Sequence, residues 1–275
     1  MKKYFATILL FLSVSLFAQE QQPNTQIESF SKAKKLLEKV VFSDYRKDFY
    51  CNCTYDNKKN VDFYSCNYKA RKNEKRAKKI EWEHVVPAEN FGRYFSEWRE
   101  GHPDCTDNKG KPFKGRKCAG KVNQEFRYME ADMYNLVPAG GEMNADRSNK
   151  QYGIIQGEPR EYGKCDFEVN EKNAEPRPEI RGDIARIYFY FAAAYPKSGI
   201  LSDKNKKIFE IWDKEDPADK AECDRAKIIE KLQGNKNLIL EKACKHPQSN
   251  LYQQIEERRG AIKDKAISDT QREGI

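Results

Sequence analysis

The sequence predicts an α+β fold in which mixed helices and short strands form one disulfide-stabilised domain. Helical and strand-like periodicities follow one another without a βαβ rhythm, which favours α+β over a parallel α/β sheet. Eight cysteines, Cys51, Cys53, Cys66, Cys105, Cys118, Cys165, Cys223 and Cys244, lie behind a leader-like N-terminus, and an even count in an exported chain reads as disulfides. No Gly/Ser-rich or Pro-rich linker and no internal repeat divides the sequence.

Met1, Lys2 and Lys3 precede an apolar run from Tyr4 to Phe17, with Ala18 at a cleavage position. This is the pattern of a secretory signal peptide over residues 1–18. No later segment approaches the roughly twenty apolar residues that a membrane helix needs, so a periplasmic or secreted chain without a membrane anchor is expected. Taking the two leader lysines from the 51 basic residues leaves 49 against 43 acidic ones, a charge of +6.

Gln26 to Val41 places Ile27, Phe30, Ala33, Leu36, Leu37, Val40 and Val41 at helical spacing, predicting an amphipathic helix. Tyr50 to Tyr68, rich in cysteine, aromatic and turn residues, reads as irregular or strand-like. Lys69, Arg71, Lys72, Lys75, Arg76, Lys78 and Lys79 are opposed only by Glu74. Such a block is either a solvated face or a surface for a polyanion. It runs straight into Ile80 to Val86, which alternates and predicts a strand, and then Pro87, which suits the first turn of a helix carrying Phe91, Tyr94, Phe95 and Trp98.

Gly101 to Lys121 reads as a long surface loop, and Gln124 to Met133 as a helix. Asn135 to Asn149, with one proline and two glycines, reads as a loop entering a helix near Glu142. Arg181 to Tyr195 predicts a buried helix with Ile184, Ile187, Tyr188, Phe191 and Ala192 inward, followed by helices near 204–214 and 218–232. Residues 246–275 form a polar tail. Nothing in spacing settles the disulfide pairing, since eight cysteines allow 105 connectivities; Cys105 with Cys118 is the preferred local bridge. Zinc is disfavoured because Cys51-x-Cys53 lacks the usual two-residue gap and no second pair of that kind occurs.

The chemistry concentrates in EWEHVVPAENFG, residues 81–92, where Glu83 adjoins His84, one of three histidines in the chain. A neutral histidine can take a proton from water near pH 7, and a carboxylate with an amide oxygen suits a hard cation. In an alternating strand the two residues face opposite ways, so they serve one site only if the strand ends or bends there. Taken alone, the dipeptide is equally an ordinary strand end. The second dense segment, GGEMNADRSN, holds Glu142, Asn144, Asp146, Arg147 and Asn149, more polar groups than packing requires; upstream, Asn135 reads as a loop pin.

EWEHVVPA with FG, RKNE with RA from Arg71, GRKC at 115–118, MYNLVPA with GEMNADRSN, and RGDIARIYFY resemble the blocks of the bacterial periplasmic and secreted endonuclease I family. The resemblance runs from about Tyr50 to Cys244 and includes all eight cysteines. It implies a ββα-metal (His-Me finger) core within a nuclease domain at 19–245. It further implies that His84 is the general base, that Glu83 and Asn144 bind a single Mg²⁺, a site that Mn²⁺ or Ca²⁺ can also occupy, that Arg116 contacts the scissile phosphate, and that Glu130 lies in the outer shell of the metal site. Arg71, Lys72, Arg76 and Arg147 are expected to meet substrate. The implied reaction is hydrolysis of DNA and RNA with little sequence preference, leaving 5′-phosphate ends, by a monomer needing no protein partner. Glu89 departs from the aromatic residue of many relatives. The rival readings are a catalytically silent nucleic-acid binder and a disulfide-stabilised interaction module.

Overall fold

The computed structural model describes residues 20–72, 74–157 and 159–245; the expected signal peptide and the polar tail lie outside these. Helix α1 spans Phe30–Leu36, later than periodicity suggests, because Asn24 Oδ1 accepts the N–H groups of Gln26 and Ile27 and holds that segment in a turn. Ser29 then caps α1 by accepting from Lys32 N–H. The helix widens into a π-turn, Leu37–Val41, that buries Leu37 and Val41. Of the two readings of residues 50–68, irregular or strand-like, the structure shows the first, with isolated bridges such as Tyr55 with Val61.

The single-turn helix α2, Glu74–Ala77, leads into strand β1, Ile80–His84. The helix expected after Pro87 is two short ones, α3 (Ala88–Gly92) and α4 (Ser96–Arg99). The chain folds back here: a Cβ on Gly92 would sit 2.3 Å from the Trp98 indole. The expected long loop ends early, at helix α5, Arg116–Val122, followed by α6, Gln124–Glu130.

Residues 136–140 differ most from expectation. Despite Pro138 they form strand β2, Leu136–Gly140, fully buried and antiparallel to β1, with Glu83 opposite Val137 and His84 opposite Leu136. Pro138 lacks a donor, but its carbonyl accepts from Phe49 N–H at 2.7 Å. β2 passes directly into helix α7, Gly141–Arg147. Three short strands, β3 (Gln151–Tyr152), β4 (Phe167–Val169) and β5 (Asn173–Pro176), make a second sheet in the order β3-β5-β4.

Helix α8, Arg181–Ala194, buries Ile184, Ile187, Tyr188 and Phe191 as predicted. The Phe191 ring lies 5.2 Å from Phe91 and the Tyr188 ring 4.7 Å from Phe209 of helix α9, Asp203–Glu215. Helices α10 (Lys220–Gln233) and α11 (Leu238–Ala243) complete the domain. Disulfides join Cys51 to Cys165, Cys53 to Cys66, Cys105 to Cys118 and Cys223 to Cys244. The preferred local bridge, Cys105–Cys118, is among them. No helix among the described residues is long and apolar enough to cross a membrane.

Candidate active site

β1 ends at His84, and its alternation puts Glu81 and Glu83 on one face and Trp82 and His84 on the other. Helix α7 lies along the carboxylate face. Its Asn144 donates through Nδ2 to Glu81 Oε2 at 2.7 Å, and one turn later Arg147 Nη1 donates to Glu83 Oε1 at 3.0 Å. This close approach depends on glycine at the strand-to-helix junction. A Cβ on Gly141 would lie 2.8 Å from both Glu81 Oε1 and the Arg76 carbonyl oxygen.

Glu83 is only 4% exposed. Its Oε1 also accepts from the Tyr50 hydroxyl at 2.8 Å, and Tyr50 is itself hydrogen-bonded to Tyr152. Burial pushes the Glu83 carboxyl up, against the pull of Arg147 and Tyr50. Further positive charge beside it would favour its ionised form. Asn144 has its amide nitrogen spent on Glu81, while its Oδ1 has no hydrogen-bond partner among the described residues. A carboxylate and an amide oxygen form a hard donor set that fits Mg²⁺. Among the described residues, Asp48, Cys51 and Cys53 are the three His, Cys, Asp or Glu side chains close enough together to share a metal ion. Both cysteines are in disulfides, and Asp48 accepts N–H groups from Tyr50, Cys51 and Cys53.

On the opposite face, His84 Nε2 is 2.8 Å from the Glu130 carbonyl oxygen. A carbonyl only accepts, so Nε2 carries the hydrogen and Nδ1 keeps its lone pair. The ring sits between Phe30 and Phe91, with centroids 5.0 and 6.1 Å away. Burial, and next the Arg116 charge, push the imidazole down to about 3, so it is neutral at physiological pH. The Glu130 carboxylate accepts from Arg116 Nε at 2.5 Å. Glu130 thereby joins the base and the exposed arginine, and Glu83, His84, Arg116, Glu130 and Asn144 gather around β1.

The expected substrate cations fare differently. Arg147 is 0% exposed; besides Glu83, it donates to the His84 and Val85 carbonyl oxygens and stacks 4.4 Å from the Tyr152 ring. It therefore cannot meet a polymer as expected and instead clamps the end of β1 from behind. Arg71 pairs with Glu161 and lies 3.6 Å from Asp146. Arg76 is held by Glu81 through two 2.7 Å hydrogen bonds. Lys72 is exposed.

Glu142, Glu81 and Tyr50 are site residues that motif reading assigned no role. Glu142 accepts from the Tyr68 hydroxyl and from the N–H groups of Arg71 and Lys72, tying the basic segment to α7. The one available signal was strand alternation, which puts Glu81 beside Glu83. Asn135 is the expected loop pin: its amide exchanges two hydrogen bonds with the Val86 backbone, at 2.7 and 2.9 Å. Glu89 is engaged by Arg93 and Asn149.

A family profile described as Endonuclease I matches residues 29–244. The chain is 42% identical to an extracellular deoxyribonuclease of Aeromonas hydrophila over 223 residues, covering 79% of this chain and 91% of the relative. It is 41% identical to a periplasmic deoxyribonuclease of the same organism over 243 residues, 86% and 93% of the two chains. It is also 41% identical to an endonuclease-1 of Buchnera aphidicola subsp. Acyrthosiphon pisum over 223 residues, 79% and 82% of the two chains.

Proposed function

The chain belongs to the endonuclease I family, and from that premise we propose that it is an exported, Mg²⁺-dependent endonuclease acting on DNA and RNA with little sequence preference. In this reading β1, β2 and α7 form a ββα-metal core. His84 is the general base: Nδ1 takes a proton from water while the new oxygen–phosphorus bond forms and the bond to the 3′ oxygen breaks. The phosphate then stays on the 5′ oxygen of the downstream fragment, and the upstream fragment ends in a 3′ hydroxyl. The Glu130 carbonyl holds the required tautomer.

Glu83 and Asn144 would hold one Mg²⁺, and Mn²⁺ or Ca²⁺ suits the same oxygen donors. When bound, the ion supplies positive charge to the phosphate and to the departing oxygen. Arg116, its side chain 46% exposed, exchanges Glu130 for a phosphate oxygen, a partner its planar fork fits. Lys72 and Arg76 meet backbone phosphates along the basic segment, with Arg71 securing it. Phosphate contacts position a polymer without reading its bases, which accounts for weak sequence preference. The domain runs over 19–245 behind a signal peptide at 1–18 and ahead of a polar tail, and a monomer suffices for the chemistry.

The observation that carries this reading is the neutral His84, its Nε2 anchored on Glu130 and its Nδ1 left as acceptor, beside Arg116. Plasmid DNA and total RNA incubated with the purified protein, with Mg²⁺ or with chelator, provide the test. Both polymers should be degraded only with the metal, and the new 5′ ends should accept label from polynucleotide kinase only after phosphatase. Cleavage that persists in chelator, or a gel shift without cleavage, overturns it.

A further inference from the structure

Three groups surround the half-buried ring of Phe30 on α1. The His84 imidazole lies 5.0 Å away, the Arg116 guanidinium 5.2 Å and Lys34 Nζ 4.5 Å, all measured to the ring centroid. Phe30 and Lys34 are separated by one helical turn, so both project from the same face of α1. Ala33 and Leu37, on the same side of the helix, are buried and fix that side against the core. Three arginines around β1 already have carboxylate partners: Arg76 has Glu81, Arg116 has Glu130 and Arg147 has Glu83. Lys34 pairs with no carboxylate among the described residues. Lys32 and Lys35 are exposed beside it.

We propose that α1 forms one wall of the nucleic-acid surface and that Lys34 holds a backbone phosphate of the bound strand, next to the phosphate that faces His84. This deepens the nuclease reading and rests on it. The Lys34 ammonium lies over the face of the Phe30 ring, which holds it in place and leaves its remaining N–H groups for an anion. A phosphate there gives that ammonium the anionic partner it lacks. Because the contact is to the backbone, it adds affinity without base preference.

The test uses fluorescein-labelled DNA duplexes of two unrelated sequences, bound with Mg²⁺ present to full-length protein carrying His84→Ala to suppress cleavage. Each neutralised phosphate contributes about 0.9 to the slope of log binding constant against log salt. Lys34→Gln should lower that slope by about this amount for both sequences, and Lys34→Arg should restore it. Lys206→Gln, on α9 away from the site, should leave the slope unchanged. In otherwise native protein, Lys34→Gln should raise KM more than it lowers kcat. An unchanged slope with an unchanged melting temperature overturns the assignment, as does weaker binding with an unchanged slope, which would mean that Lys34 only braces Phe30. If the unmodified protein neither binds nor cuts DNA, the nuclease reading itself falls; if it does both and Lys34→Gln matches it, only Lys34 is lost.

Discussion

His84 and Asn144 lie on opposite sides of β1, and in the nuclease reading proposed above their removal should have different signatures. His84→Ala deletes the nitrogen proposed to take the proton from water. It should lower turnover by about 10² to 10⁴, the usual value of general-base help, with duplex binding retained. Near-normal kcat in that variant would sink the assignment. Asn144→Ala leaves the base and its Glu130 anchor intact and removes one neutral oxygen donor. Its effect should appear in the Mg²⁺ titration, as a higher half-saturating concentration by both activity and calorimetry. Superimposable titrations with native protein would exclude Asn144 as a ligand. Both positions stood out in sequence, His84 beside Glu83 and Asn144 within GEMNADRSN, and the roles proposed for them came from the family resemblance. The partners that aim them did not stand out, since the Glu130 carbonyl is a backbone group and Glu81 earns its role only once α7 is laid over it.

At the scale of elements, α7 is fastened to β1 by a charge that water does not reach. Arg147 compensates the buried Glu83 and caps the His84 and Val85 carbonyl oxygens. Removing one partner of a buried pair leaves the other uncompensated, at a cost of about 3–5 kcal/mol. Arg147→Met should lower stability by that order in chemical denaturation, and adding Glu83→Gln should recover part of the loss. If the double variant is as unstable as the sum of the two single ones, the coupling is absent. The pairing of β1 with β2 explains why this arrangement escaped sequence reading. Two glycines and a proline in 136–141 are loop signals locally, and only the partner strand, some fifty residues upstream, makes the segment a strand. The strands β3 to β5 contain two to four residues each, too few for alternation to register. The long helix α8, by contrast, was legible because its apolar positions recur over several turns.

Across the whole molecule, the Cys51–Cys165 disulfide ties the irregular N-terminal region to the second sheet over a separation of 114 residues, and long closures restrain the unfolded chain most. Charge acts over the same scale, because α8 meets the loop after α9 through a half-buried acid. Asp216 Oδ2 accepts the Gly182 N–H at 2.9 Å and lies near Asp183. Burial first, and then the Asp183 charge, push its carboxyl up to about 7. The unfolded value is about 3.9, so folding favours the protonated form. The stability Asp216 contributes is therefore complete below about pH 4 and is lost as pH rises through about 7. Asp216→Asn keeps an acceptor for Gly182 but has no proton to lose. Native protein should lose melting temperature relative to this variant between about pH 4 and about pH 7, when both are followed by circular dichroism at fixed salt. A difference in melting temperature that stays constant over that interval would show that Asp216 does not titrate there, leaving Arg186, which donates to the Asp216 carbonyl oxygen and to Glu222, to carry the electrostatics of this junction.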